Sequence, residues 1–261
     1  MQNIHLKPDT IDARSKEFAQ ARLEQSIFLN SVPKSGSHLL RNIMRMFVPV
    51  EQTYPDDFIQ HATLPRHMRA FDDNPPKMSW GHLLFSDESV IATAKCRKIL
   101  LVRDPYDWVL ARARFLLSDE FSGPLDFLKT APITADQFIS MNIYGIHRKL
   151  PGLREIYTFN AAAWLGTDAY IMRYEELVAA LRDLDGSRDY FSSLLDACGI
   201  ALPDDWQERV RIGADRKNSG TARENLSIGG MELPERINDI QMQMVDLACP
   251  GLRALLGYEG H

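Results

Sequence analysis

The sequence predicts a three-layer α/β/α fold, in which helices cover both faces of a central parallel β-sheet, followed by a mostly helical C-terminal part. Short apolar runs of strand length alternate along the chain with amphipathic helical segments, which is the pattern of strands joined by helical crossovers. The 261 residues, 45% of them hydrophobic and 25% charged, are enough to build one large core. Because no repeat or low-complexity stretch divides the chain, we treat residues 1–261 as a single domain.

The individual elements follow from apolar runs and from apolar residues at helical spacing. Aspartate is a good helix cap and proline suits the first helical position, so Asp104-Pro105 predicts a helix start. The predicted strands are 27–32, 78–81, 98–103 and 169–172. The predicted helices are 37–47, a helix from 104 onward, 174–184, 189–198, 204–212 and 234–247.

The net charge, the N-terminal segment and the cysteines indicate which partners and which cellular location to expect. A net charge of −5 argues against a nucleic-acid partner, because general nucleic-acid binders carry a basic face. The N-terminus is polar and lacks the apolar core of a signal peptide, and the longest aliphatic run, 99–102, is too short to span a bilayer. Three widely spaced cysteines predict buried thiols in a reducing compartment. We therefore expect a cytoplasmic protein without a stable membrane anchor.

A loop of small residues, Pro33-Lys34-Ser35-Gly36-Ser37-His38, follows the first predicted strand. Such a loop between a strand and a helix binds an anion with its backbone N–H groups, and the helix dipole favours negative charge there. The position of lysine before glycine differs from the GxxxxGK[ST] pattern of nucleotide triphosphatases. The loop resembles the PKSGTTW segment of the sulfotransferases that use 3′-phosphoadenosine 5′-phosphosulfate (PAPS). This resemblance implies a P-loop-like transferase fold and implies that residues 34–38 bind the 5′-phosphosulfate.

The third predicted strand ends in an arginine, in Lys98-Ile-Leu-Leu-Val-Arg103-Asp104-Pro105. The planar guanidinium suits a phosphate, and ligands of open parallel sheets bind beyond the carboxyl ends of the strands. The segment resembles a second motif of the same family, in which this arginine binds the 3′-phosphate of PAPS. The serine that shares this task in the family is replaced here by Ala111, with Arg112 and Arg114 as neighbouring candidates.

A basic segment near residue 216 resembles the third family motif, RKGxxGxW[KR]N. The resemblance implies that Arg216, Lys217 and the backbone N–H at Asn218 close over the 3′-phosphate, with Arg223 at a further matching basic position. The segment that begins at Met172 resembles the family's YED-type segment, which implies that Tyr174 lies near the adenine. In total the resemblance covers residues 26–226.

One histidine, His82, directly follows the second predicted strand. An acceptor hydroxyl needs a base to take its proton, and histidine, with a reference pKa of about 6.5, suits this task at neutral pH. Trp80-Gly81-His82-Leu83 resembles the KTHL segment that carries the catalytic histidine of many sulfotransferases, although tryptophan replaces its lysine. The resemblance implies that His82 is the general base and that Lys34 stabilises charge on the departing phosphate. His38, inside the phosphate loop, is the competing base.

The motifs together predict transfer of a sulfuryl group from PAPS to a hydroxylated acceptor, which is a small molecule, a lipid or a carbohydrate, with no metal required. Aromatic residues in the regions 54–76 and 115–147 are candidates for the acceptor site. Leu39 stands where the family loop has an adenine-stacking tryptophan. Two alternatives stay open: a P-loop kinase-like, ATP-dependent transferase that needs magnesium, and a nucleotide-binding relative without activity. For Arg103 the alternative is a surface ion pair with Asp104 or Asp107.

Overall fold

The structure, a computed structural model, divides into two compact units. The sheet unit comprises residues 7–102 and 159–222, and the helical unit comprises residues 1–6, 103–158 and 223–261. The structure describes residues 3–4, 9–55, 59–118, 121–123, 125–219 and 231–258.

The sheet unit is built on a parallel sheet of five strands. The strands of the protein are β1 (Asn3–Ile4), β2 (Ile27–Ser31), β3 (Ile59–Gln60), β4 (Met78–His82), β5 (Arg97–Val102), β6 (Phe121–Ser122) and β7 (Tyr170–Arg173). The five strands of the parallel sheet lie in the order β3-β4-β2-β5-β7. The central strand β2 pairs with β4 and β5, so that Leu29 lies opposite both Trp80 and Ile99. β2 is buried along its whole length, as expected of a strand covered on both faces.

Helices flank this sheet and bury one continuous apolar core within the unit. The helix after β2 presents Leu40, Ile43 and Met44 to that core, at the spacing expected of one helix face. The helices are α1 (Ile11–Ser15), α2 (Ser37–Arg45), α3 (Asp87–Ala92), α4 (Pro105–Leu117), α5 (Ala135–Tyr144), α6 (Leu153–Asn160), α7 (Tyr174–Arg182), α8 (Arg188–Ala197), α9 (Trp206–Ala214), α10 (Asp239–Ala248) and α11 (Leu252–Leu255).

The helical unit has a core of its own, formed around α4 and α5. Its members are buried apolar residues, among them Ala113, Leu117 and Phe138. As predicted, α4 begins with Pro105 in its first turn, and the Asp104 carboxylate accepts a hydrogen bond of 3.0 Å from the Tyr106 N–H. The short strands β1 and β6 pair in antiparallel fashion in this unit.

The structure confirms the parallel sheet with flanking helices, and all four predicted strands are present within two residues of their expected bounds. The edge strand β3 was missed because a two-residue strand has no detectable alternation of apolar and polar side chains. The helix predicted from residue 234 begins instead at Asp239, where the Asn238 side chain accepts from the Gln241 N–H. Cys96 and Cys198 are buried free thiols, as expected, whereas Cys249 is a free thiol that is only half-buried. Among the described residues, no helix is long and apolar enough to cross a membrane.

Candidate active site

Three of the predicted site segments belong to the sheet unit and follow strands of its sheet directly. The phosphate loop follows β2, His82 is the last residue of β4, and Tyr174 comes directly after β7. Because these strands are parallel, their carboxyl ends meet at one edge of the sheet, where ligands of such folds bind. The topology therefore assembles the predicted residues at a single edge.

The phosphate loop has an unusual backbone that its sequence explains in part. Gly36 has φ of 94°, which suits glycine, whereas Lys34 adopts a left-handed φ of 68° that is uncommon for a residue with a side chain. Left-handed residues in a short loop are typical of anion-binding concavities, while the Ser35 N–H is used within this loop, where it donates to the Val32 backbone oxygen at 3.2 Å. A Cβ on Gly36 would come within 2.5 Å of the Tyr174 ring, so glycine is also required for the close approach of that ring.

The His82 ring is fixed by the last residue of β2. Its Nδ1 lies 2.9 Å from the backbone oxygen of Ser31 and 3.1 Å from the Ser31 hydroxyl. A carbonyl oxygen only accepts hydrogen bonds, so Nδ1 carries the proton. In the neutral ring, Nε2 then holds the lone pair, which is the tautomer that a base acting through Nε2 requires.

The pKa of His82 is lowered to about 4, chiefly by burial and also by the positive charge of Lys34, against opposing hydrogen bonds to the Ser31 and Gly81 backbone. The imidazole is therefore neutral at physiological pH. Because the charge of Lys34 acts on this pKa, the two residues that the resemblance assigns to catalysis share one electrostatic environment. His82 thus lies within reach of the loop's positive charge.

The backbone just after His82 is held by side chains of the sheet unit. The Asn30 amide accepts from the Leu83 N–H at 2.9 Å and donates to the Leu83 oxygen at 3.2 Å. The Trp164 indole N–H donates to the same oxygen at 3.1 Å. These bonds satisfy both polar backbone groups at the point where the strand leaves the sheet, and they fix the position of the neighbouring histidine.

Gly81 lets the edge strand approach β4 next to His82. A Cβ at this position would lie only 2.0 Å from the Ile59 backbone oxygen, so a side chain there would displace β3. The glycine in the Trp80-Gly81-His82 segment therefore has a structural reason that its sequence context alone did not reveal.

Trp80 is 7% exposed and packs against the first turns of α2. The His38 ring meets the indole edge-on with 4.7 Å between centroids, and the Arg41 guanidinium lies 4.7 Å from the centre of the indole. The competing base His38 is thus packed against Trp80, and Arg41 is a cation beside the loop that the sequence analysis did not single out. Its position one helical turn after Ser37 was the available signal.

The third predicted segment forms a 3₁₀ turn, Arg216–Asn218, that is tied to the rest of the sheet unit. The Asp215 carboxylate accepts from the Lys217 N–H at 2.9 Å, and the Asn42 side chain on α2 donates to the Ser219 hydroxyl at 2.8 Å. Arg216 and Lys217 are exposed. The Asn218 side chain accepts from Thr10 and donates to Ile212, and its backbone N–H donates to the Asp215 backbone oxygen at 3.0 Å, so all of these groups have partners within the sheet unit. Arg223 lies outside the described residues.

The second predicted motif belongs to the helical unit, where Arg103 directly follows the last residue of β5. The backbone oxygen of Arg103 accepts a 2.8 Å bond from the Tyr157 hydroxyl. Asp104, one of the two proposed ion-pair partners of Arg103, pairs with Arg253 through both carboxylate oxygens, at 3.0 and 2.9 Å. The role of Arg103 in 3′-phosphate binding stays a prediction from the sequence.

The residues next to Ala111 on α4 are engaged within the helical unit. Arg112 is buried, lies 5.0 Å from the centre of the Trp108 ring and donates to the Asn142 backbone oxygen. Burial lowers the pKa of Arg112 to about 10. Arg114 donates to the Pro234 backbone oxygen at 3.1 Å. Both arginines therefore have protein partners, and neither is assigned the task of the missing serine.

Two hollows of about 420 and 570 Å³ lie at the opposite, amino-terminal edge of the sheet, near the start of β5. Their linings mix acidic and basic side chains. Lys98, in the larger hollow, donates to two backbone oxygens and forms a 2.8 Å ion pair with Asp168. Because its charge is compensated internally and parallel sheets bind ligands at their carboxyl edge, we place the active site at the other edge.

Comparison with solved structures identifies the fold. The protein is similar to mouse sulfotransferase SULT7A1 complexed with adenosine 3′,5′-bisphosphate (PAP), with a TM-score of 0.57 and 16% sequence identity over 98% of this chain and 96% of that chain. The fold is that of the sulfotransferases. A second similar structure is retinol dehydratase in complex with androsterone and inactive cofactor PAP, with a TM-score of 0.53 and 12% identity over 88% of this chain and 81% of that one. No protein-family model and no curated protein sequence matches the chain.

Within the sulfotransferase fold, two site residues escaped the sequence analysis besides Arg41. Asn30 and Ser31 stand in the apolar run of the first predicted strand, where two consecutive polar residues interrupt the pattern. Buried polar residues in a central strand need hydrogen-bond partners, so this interruption was a usable signal.

Proposed function

We propose that this protein is a PAPS-dependent sulfotransferase that transfers a sulfuryl group to the hydroxyl of a small-molecule, lipid or carbohydrate acceptor in the cytoplasm. The observation that carries the proposal is the arrangement at the carboxyl edge of the sheet. There, a neutral histidine with its lone pair on Nε2 lies within the electrostatic influence of the lysine of a phosphate-type loop. The sulfotransferase fold supports the same reaction class.

The residues present fit a phosphorylated ligand. The loop supplies a lysine, and the first turn of the nine-residue helix α2 presents its N–H groups to the same place. The Ser35 hydroxyl is fully buried and has no hydrogen-bond partner among the described residues. A buried hydroxyl in that situation is costly unless a ligand or water completes it, so its presence in the loop favours an anion site.

In the proposed mechanism, the bound donor supplies the sulfuryl group and the residues of the chain act on the proton and the charge. His82 accepts the acceptor's proton at Nε2, while its Nδ1–H stays bonded to Ser31. Lys34 and the N–H groups of the loop stabilise negative charge on the phosphate, and such fixed donors are often the largest catalytic contribution. Arg216 and Lys217 bind the 3′-phosphate, as does Arg103 by the resemblance of its sequence. Arg216 and Lys217 are exposed and close over it from the turn anchored to α2.

Calorimetric titration with nucleotides tests the donor. We expect PAP to bind more tightly than ADP or ATP, with no dependence on Mg²⁺, because the 3′-phosphate adds contacts with cations that the other two nucleotides leave unpaired. Tight, magnesium-dependent ATP binding without PAP binding would favour the kinase-like alternative. Transfer of labelled sulfate from PAPS to a panel of hydroxylated acceptors then separates an enzyme from a binding protein without activity.

The low pKa of His82 predicts an unusual pH profile. A base works only when unprotonated, and His82 is neutral at every pH above about 4. As pH is lowered, the ring ¹⁵N signals of His82 in the nucleotide-free protein should therefore stay those of a neutral imidazole through pH 6.5, the usual histidine value, and change only near pH 4. The titration should be followed over the pH range in which the protein stays folded. A midpoint near 6.5 in the nucleotide-free protein would mean that the histidine is solvated.

A further inference from the structure

The Ser31 hydroxyl connects the phosphate loop with the base. Ser31 is the last residue of β2 and is 1% exposed. Its Oγ lies 2.7 Å from the Ser37 hydroxyl, which opens α2, and 3.1 Å from His82 Nδ1. A third contact, 3.4 Å from the Gly81 backbone oxygen, is longer. The buried Ser31 hydroxyl thus connects Ser37, in the proposed anion-binding loop, with His82, the proposed base.

The direction of these hydrogen bonds is determined by chemistry. Because Nδ1 bonds the Ser31 backbone oxygen, it carries a proton, and toward the Ser31 hydroxyl it acts as a donor. The Ser31 hydroxyl has one proton to donate. The Ser37 hydroxyl oxygen, at 2.7 Å, is a better acceptor for that proton than the Gly81 backbone oxygen, at 3.4 Å. Ser37 accepts this bond, so its own proton points away from Ser31 and is directed to another acceptor.

We propose that Ser31 is a positioning residue that relays hydrogen bonding in one direction, from His82 Nδ1–H through its own hydroxyl to the Ser37 hydroxyl, and so aims the Ser37 proton at an anion in the loop. The proposal rests on the proposed function only in naming that anion as the donor's 5′-phosphosulfate. An anion that accepts from Ser37 polarises the whole chain of bonds. It thereby strengthens the Nδ1–H bond and holds His82 in the tautomer with its lone pair on Nε2.

A double-mutant cycle without any nucleotide tests the relay. The readout is the ¹⁵N chemical shift of His82 Nδ1 and Nε2 in the full chain. Ser37→Ala should shift the His82 signals, because the hydrogen bond of Ser37 to Ser31 affects His82 through the Ser31 hydroxyl. In the Ser31→Ala background, the Ser37→Ala substitution should have no further effect on these signals. Additive shifts would overturn the relay. If Ser31→Ala does not fold, Ser37→Ala alone decides, because unchanged His82 signals would equally overturn it.

A matched control separates the relay from loss of any buried serine. Ser79, on β4, is also 1% exposed, but its hydroxyl has no hydrogen-bond partner among the described residues. Ser79→Ala should leave the His82 signals and kcat unchanged, whereas Ser31→Ala should lower kcat about tenfold, the value of one lost hydrogen bond. A loss of kcat in Ser79→Ala equal to that in Ser31→Ala would contradict a specific role for Ser31.

Titration with PAP distinguishes failure of the relay from failure of the proposed function. In the unsubstituted protein, PAP should shift the His82 signals, and in Ser31→Ala this response should be lost while PAP still binds. Binding with an equal response in both proteins would refute the relay and leave the sulfotransferase proposal intact. If PAP binds neither protein, the proposed function fails, and the nucleotide-free cycle still decides the relay.

Discussion

Replacement of His82 with alanine is expected to lower the rate of sulfuryl transfer by about 10²–10⁴-fold, the usual contribution of a positioned general base. The affinity for PAP should be nearly unchanged, because His82 acts on the acceptor and not on the nucleotide phosphates. The measurement is single-turnover transfer from saturating PAPS, combined with calorimetric titration of PAP. A substitution that removes the base but spares nucleotide binding separates the chemical step from assembly of the site.

Two further variants make this experiment decisive. His147→Ala removes an exposed histidine of the helical unit and should leave transfer unchanged. His38→Ala removes the competing base, whose ring packs against Trp80. Loss of transfer in His38→Ala together with full transfer in His82→Ala would assign the base to the loop and refute our assignment.

Replacement of Lys34 with methionine is expected to reduce kcat by about 10²–10³-fold, because the ammonium stabilises charge that develops during transfer. PAP binding should also weaken by about tenfold or more, as loss of a charge-assisted hydrogen bond typically costs about 1.5–3 kcal/mol. Methionine keeps much of the length and apolar character of the stem and removes only the charge. Steady-state transfer assays measure the change in kcat, and calorimetric titration with PAP measures the change in PAP affinity.

The same variant should move the pH profile. Because the positive charge of Lys34 contributes to the low pKa of His82, its removal should raise that pKa and shift the midpoint of the His82 ¹⁵N titration in the nucleotide-free protein to higher pH. Lys95→Met, at the amino-terminal edge of the sheet, is the matched control and should change none of these quantities. An unchanged midpoint in Lys34→Met would mean that the two side chains do not interact as the structure indicates.

The sequence was sufficient for the central sheet because its inner strands are continuous apolar runs that only a sheet covered on both faces can bury. It was insufficient for β3, where pairing of Ile59 with Gly81 depends on a long-range approach and not on local propensity. Helix bounds were displaced where a side-chain cap decided the start, as at Asn238. Asn238 and Gln241 form a capping box, so this helix start has a local sequence signal that the spacing of apolar residues does not contain.

At the candidate site, the sequence yielded the groups that carry charge or protons but not those that orient them. Lys34 and His82 stand in recognisable segments, whereas Ser31 and Asn30 act through neighbours about 50 residues away along the chain. The hydrogen bond from Arg112 to the Asn142 backbone oxygen was equally beyond sequence patterns, because it joins two different helices. Such contacts depend on which strands and helices become neighbours, and that is a property of the folded chain.

The Asn30 amide limits motion at the carboxyl edge of the sheet, where the candidate active site lies. Because it binds both backbone groups of Leu83, the end of β4 is secured to the central strand and does not depend on the two-residue border strand for its hydrogen bonds. Edge strands open at a low cost in free energy. Opening of β3 would therefore leave the His82 imidazole in its position beside Ser31. The catalytic geometry is thereby insulated from the most easily melted part of the sheet.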